Sequence, residues 1–111
     1  MGEPVKRPQL LPSTSAKYNL ACGNVYVHIT FLDNKPFEVF AVLGKAGGCA
    51  AAMLEAACRL ISACLRSGVP VEVFIKQLAG IRCLNSAWQD GEENLSCADV
   101  IAKALKSAVE K

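Results

Sequence analysis

An α+β domain, with an antiparallel sheet built on a β-hairpin and packed against helices, is predicted by three observations. Apolar residues alternate with polar ones from Asn24 to Phe31 and again from Phe37 to Val42. The pattern then switches to three- and four-residue spacing from Ala50 to Leu65. A third apolar stripe begins behind Ser96 and runs to Val109. Alternation describes half-buried strands and the longer spacing describes amphipathic helices, so strands and helices are segregated along the chain.

Taken in order, residues 1–17 hold three of the five prolines together with Ser13, Thr14 and Ser15, and read as an extended, poorly ordered arm or linker ahead of a domain spanning 18–111. Val25, Val27, Ile29 and Phe31 share one face of a first strand, which leaves His28, the only histidine, on the polar face in an ordinary surface role. Asp33-Asn34-Lys35 is a turn signal, and Phe37, Val39 and Ala41 then face one side of a second strand. In the helix that follows, Met53, Ala57, Leu60, Ile61 and Cys64 are expected to cover the sheet. Ser67-Gly68-Val69-Pro70 ends it, and Val71 to Leu78 forms a shorter helix before Gly80. Residues 84–95 are polar and read as a loop, with Trp88 expected to plug that loop onto the core, the alternative being a partner surface. Ser96 caps the last helix, Asp99 completes a capping box, and Val100, Ile101, Leu105 and Val109 form its stripe. Lys103 and Lys106 suit the negative end of that helix and require no ligand.

Composition narrows the function. A chain of 111 residues is one domain, with room for a core but not for a multi-domain catalyst. Hydrophobic residues make up 52% and charged residues 20%, and the apolar helix is broken by Glu55 and Arg59, so no membrane span is expected. The net charge is only +2 and its basic residues are scattered among acids, a poor footprint for nucleic acid. The first residues lack a secretory pattern, which makes a reducing cytoplasm the expected setting. There, clustered cysteines signal metal or redox chemistry more than disulfides.

The six cysteines divide into two groups. Cys58 and Cys64 sit inside the apolar helix, where cysteine acts as a small buried hydrophobe. Cys22 lies in A-C-G before a strand, Cys49 follows Gly47-Gly48 at a helix start, Cys83 ends G-I-R-C, and Cys97 opens the last helix. Those four are the candidate metal ligands. A helix start presents unpaired N–H groups and the positive end of the macrodipole, which favour the thiolate that a metal needs, and the glycines beside Cys22 and Cys49 let backbone close around a site. The spacing is loose, with 26 residues between Cys22 and Cys49 and no C-x-x-C pair, so it leaves scattered thiols as the alternative. G-K-A-G-G lacks the order of a phosphate-binding loop and reads as the bend that delivers Cys49.

Six segments carry a family resemblance: C-G-N-V-Y-V from Cys22, P-F-E-V-F from Pro36, G-K-A-G-G-C-A, R-L-I-S-A-C-L-R-S-G-V, I-K-Q-L-A-G-I-R-C, and L-S-C-A-D-V-I-A-K-A-L. From about Lys17 to Leu105 the chain resembles the TSCPD domain, found at the C-terminal end of adenosylcobalamin-dependent (class II) ribonucleotide reductases and in small free-standing proteins. The naming motif T-S-C-P-D stands here as L-S-C-A-D, with Leu95 and Ala98 replacing Thr and Pro while Ser96, Cys97 and Asp99 remain. The resemblance implies that Cys22, Cys49, Cys83 and Cys97 form a recurrent four-cysteine set, holding zinc or less readily an iron–sulfur cluster. It also implies association with a reductase catalytic domain or subunit. Cobalamin and nucleotide reduction belong to the parent enzyme, so no activity is expected from this chain alone. A weaker similarity links the order A-C-G, G-G-C and S-C-A-D-V-I-A-K-A-L to iron–sulfur cluster scaffold proteins, although Asn24 stands where those carry an acidic residue. Two functions follow as expectations. One is an accessory metal-binding domain, with a cluster carrier as a variant. The other is a thiol redox module in which a pair such as Cys83 and Cys97 passes electrons to a reductase.

Overall fold

The computed structural model describes residues 5–21, 23–44, 48–84 and 86–110. Within them the architecture is α+β: a three-stranded antiparallel sheet in the order β1-β2-β3, a separate two-stranded ribbon and three helices. β1 is Ser13–Leu20, β2 is Gly23–Leu32 and β3 is Lys35–Leu43. The expected hairpin is β2–β3, with Ile29 opposite Val39. Its two-residue turn places Asp33 and Asn34 at φ 54° and 63°, the left-handed conformation that matches strand twist and that Asp and Asn tolerate.

The arm departs from expectation. Residues 13–17 form the first half of β1, fully paired to β2 with Ser13 opposite Thr30 and Lys17 opposite Tyr26. They escaped detection because they are exposed, so no alternation marks them. The preceding residues are tethered as well. The Val5 N–H donates to the Arg66 carbonyl at 2.9 Å, and the Arg7 Nε donates to the buried carboxylate of Glu38 at 2.8 Å.

α1 (Gly48–Arg66) packs against β3, and α3 (Cys97–Val109) packs under the sheet beside α2 (Val71–Leu78). Val25, Val27, Ile29 and Val39 meet Val100, Ile101 and Leu105 of α3 and Leu54, Cys58, Ile61 and Leu65 of α1 in one core. The buried stripe of α1 is therefore rotated from the one expected. Ile61 is buried, but Met53 and Leu60 are 69% and 68% exposed and Cys64 is half-buried. The helix is apolar on both stripes, so periodicity alone could not select between them.

The stretch read as a loop contains β4 (Ala87–Gln89) and β5 (Glu92–Asn94), joined by Asp90-Gly91 at φ 51° and 83°. That Asp-Gly pair is a hairpin signal between strands of only three residues each. Trp88 is 69% exposed on β4 and does not plug the core.

Each edge of the main sheet has outward-pointing backbone groups satisfied by side chains, at Val39 on β3 and at Asn19 on β1. Ser62 of α1 acts as a strand substitute at β3, accepting from Val39 N–H and donating to Val39 C=O, each at 3.0 Å. At β1, Gln89 Oε1 accepts from Asn19 N–H at 2.9 Å, and Asn94 Nδ2 donates to Asn19 C=O at 3.0 Å. Satisfying these groups from side chains blocks edge-to-edge pairing and docks the β4–β5 ribbon on the sheet.

Candidate functional site

The site is built from the start of α3 outward. Ser96 has extended backbone and its Oγ accepts from the Asp99 N–H at 3.1 Å, the N-cap read from sequence. The same hydroxyl donates to the Ile81 carbonyl at 2.6 Å. Asp99 is only 4% exposed, and its carboxylate accepts from Gly80 N–H at 3.0 Å and from Leu95 N–H at 3.1 Å. Cys83 N–H donates to the Leu95 carbonyl at 3.0 Å. Three hydrogen bonds thus hold residues 80–83 against residues 95–99. Ser96 and Asp99 fix where the segments bearing Cys83 and Cys97 lie, and this role for Asp99 extends beyond capping.

A second set of bonds runs across that end of the sheet. Asn94 bonds to Asn19, Asn19 sits opposite Asn24 in the β1–β2 register, and the Asn24 carbonyl accepts from Gly44 N–H at 2.8 Å. Cys22 lies between Asn19 and Asn24 in sequence, Cys97 follows Asn94 by three residues, and Cys49 follows Gly44 by five. Of the candidate cysteines, Cys83 and Cys97 belong to segments that these bonds bring together.

Cys49, the second residue of α1, is exposed; Cys83 is exposed; Cys97, the first residue of α3, is half-buried and packs against the core. Gly48 at φ 67° starts α1 in a conformation that favours glycine, whereas Cys22 and residues 45–47 of the proposed bend lie outside the described residues. Among the described residues, no three His, Cys, Asp or Glu side chains form a metal-binding group. The bonds join Cys83 and Cys97 to neighbouring segments and leave Cys49 on a separate element. His28 faces Ser15, with Nδ1 2.9 Å from its hydroxyl, away from these segments.

Cys58 behaves as the core thiol expected. It is 3% exposed, and burial pushes its pKa up to about 11, partly offset by a backbone hydrogen bond at Ala41. Because the folded value is raised, the unfolded chain ionises first. The contribution is present in full below pH 9 and is lost as pH rises through about 11. Cys58→Ala is expected to flatten the alkaline fall in stability over that window by about 2 kcal/mol, measured by urea unfolding at stepped pH.

Sequence reasoning missed a cleft of about 580 Å³ beside α3, lined by Tyr18, Gln89, Glu92, Lys103 and Lys106 among others. Burial, then the charge of Glu92, raises the Tyr18 pKa. Lys103 already donates to the Glu93 carbonyl at 2.6 Å and stands 3.7 Å from Asp99. The lining mixes charges of both signs and presents no single charge to a ligand.

The TSCPD domain model matches residues 4–109, nearly the whole chain. The chain belongs to the TSCPD domain family. No curated protein and no solved structure matches it. TSCPD domains are associated with ribonucleotide reductases. In this TSCPD domain the variant motif L-S-C-A-D keeps the two side chains that make the cap and the loop contacts, Ser96 and Asp99. Its Leu95 contributes only backbone, through the N–H bonded to Asp99 and the carbonyl bonded to Cys83, so the change from Thr leaves those bonds intact.

Proposed function

We propose that this TSCPD domain is an accessory module of ribonucleotide reduction, without turnover of its own, in which Cys22, Cys49, Cys83 and Cys97 hold one metal ion. What supports this reading is the set of bonds tying residues 80–83 to residues 95–99, the segments bearing Cys83 and Cys97, with the Asn94–Asn19 and Gly44–Asn24 bonds at one end of the β1-β2-β3 sheet. A set of four thiolates suits zinc, and when bound the ion would act as a closed structural cross-link, tying the β1–β2 turn to the starts of α1 and α3. Ser96 and Asp99 hold the segments bearing Cys83 and Cys97 in position. The partner is a reductase catalytic domain or subunit in a reducing cytoplasm.

The bonded segments of Cys83 and Cys97 support a second reading as a thiol redox pair. There the two thiols would form a disulfide, giving two electrons and two protons to a disulfide on the reductase.

Metal analysis of anaerobically purified protein, with thiol counting in native and denatured states, tests both. The expected result is about one zinc per chain, lost on Cys97→Ser and on Cys49→Ser alike. Metal-free protein that rapidly loses two native thiols to mild oxidation overturns the metal reading in favour of the redox pair.

A further inference from the structure

The outward face of α1 consists of Ala52, Met53, Ala56, Leu60 and Ala63, with Met53 69% and Leu60 68% exposed. Among the described residues, α1 is the helix long and apolar enough by length and composition to cross a membrane, yet it is fixed along β3 by the Ser62 bonds and by core packing. Before Arg66, Glu55 and Arg59 are its only charges, paired at 2.7 Å one turn apart and both exposed. An apolar face of this extent marks an interaction surface.

We propose that this face is the seam of a symmetric homodimer, in which a second copy lays its own α1 antiparallel against the first. The argument is self-complementarity, which a two-fold interface requires. A two-fold axis passing between Ala56 and Ala57 sets Met53 of each copy against Leu60 of its partner. The same axis brings Glu55 of each copy to within one residue of the level of its partner's Arg59, so four charges alternate in sign along one flank. The two flanks do not mix: three- and four-residue spacing puts Met53 and Leu60 on one side and Glu55 and Arg59 on the other, and the axis matches each side with itself. Between them Ala52, Ala56 and Ala63 allow the helices to approach closely. A parallel arrangement would bring opposite flanks together and set Glu55 and Arg59 against the partner's apolar Met53–Leu60 flank. The charged flank continues onto β3, where Phe40 and Val42, 46% and 55% exposed, line a groove with Ala51, Glu55 and Arg59 and add apolar area to the same surface.

Sedimentation equilibrium of the full chain under reductant, across a wide concentration range, tests this. A reversible dimer is expected, and Leu60→Glu should raise its Kd at least about 30-fold by removing a central anchor from both copies. Glu55→Arg or Arg59→Glu alone should weaken it about tenfold, and the double variant, which exchanges the charges, should restore it. Leu60 is exposed, so thermal melts of Leu60→Glu should match the native chain. Monomer at every concentration, a dimer indifferent to Leu60→Glu, or a monomer that instead binds phosphatidylcholine vesicles through α1 overturns the proposal.

Discussion

Asp99→Ala is expected to lower stability by about 3 kcal/mol, a fall in Tm of about 15 °C, and to raise the reactivity of Cys83 and Cys97 in the native state. The carboxylate is almost fully buried and is the acceptor for the Gly80 and Leu95 N–H groups, so truncation removes both bonds at once. Hydrogen bonds to a charged acceptor are worth more than neutral ones, and here two are lost together. Lys103, 3.7 Å away, also loses its nearest acidic side chain. The loop at 80–83 can recover its hydrogen bonds by peeling away from α3, which would also strain the bond between Cys83 and Leu95. Asp99→Asn keeps one acceptor oxygen and should show about half the loss. Differential scanning calorimetry and thiol titration of the folded protein check both effects, and melting within a degree or two of the native chain would show that the carboxylate does not hold the loops.

The reach of sequence reasoning follows how local each feature is. The β2–β3 hairpin was legible because alternation and an Asp-Asn turn are written in consecutive residues. β1 was not, because its polar first half is recruited by pairing with β2 and buries little. The phase of α1 was misread because Met53-Ala57-Leu60-Cys64 and Leu54-Cys58-Ile61-Leu65 are both apolar, and only the position of β3 decides which goes inward. The same applies to the site. The cap by Ser96 lies within one helical turn, but the bond from Gly80 to Asp99 spans 19 residues and that from Asn94 to Asn19 spans 75. Sequence identified the cysteine-bearing segments as loop and helix-start positions. The joining of the Cys83 and Cys97 segments depends on Ser96 and Asp99, and the docking of the β4–β5 ribbon on Asn19 and Asn94, whose distant partners no periodicity could reveal.

Leu105→Ala is expected to cost about 3–4 kcal/mol, and its value lies in what it should leave unchanged. Leu105 has no exposed surface and stands in the core with Val25, Val27 and Val39 of the sheet, two helical turns along α3 from the bonded start of that helix. Truncation leaves a cavity lined by branched side chains that are held by strand pairing and cannot collapse far into it. The expected record is a lower urea midpoint with an unchanged slope, because the same surface is still exposed on unfolding. Native thiol reactivity and metal content should stay at the levels of the unaltered chain, since none of the bonds through Ser96, Asp99 or Asn94 is touched. Asp99→Ala, with a similar loss of stability, should change thiol reactivity. If Leu105→Ala altered the thiols to the same degree, reactivity would report global stability alone, and the hydrogen-bonded frame around residues 80–83 and 95–99 would have no separate role in positioning the cysteines.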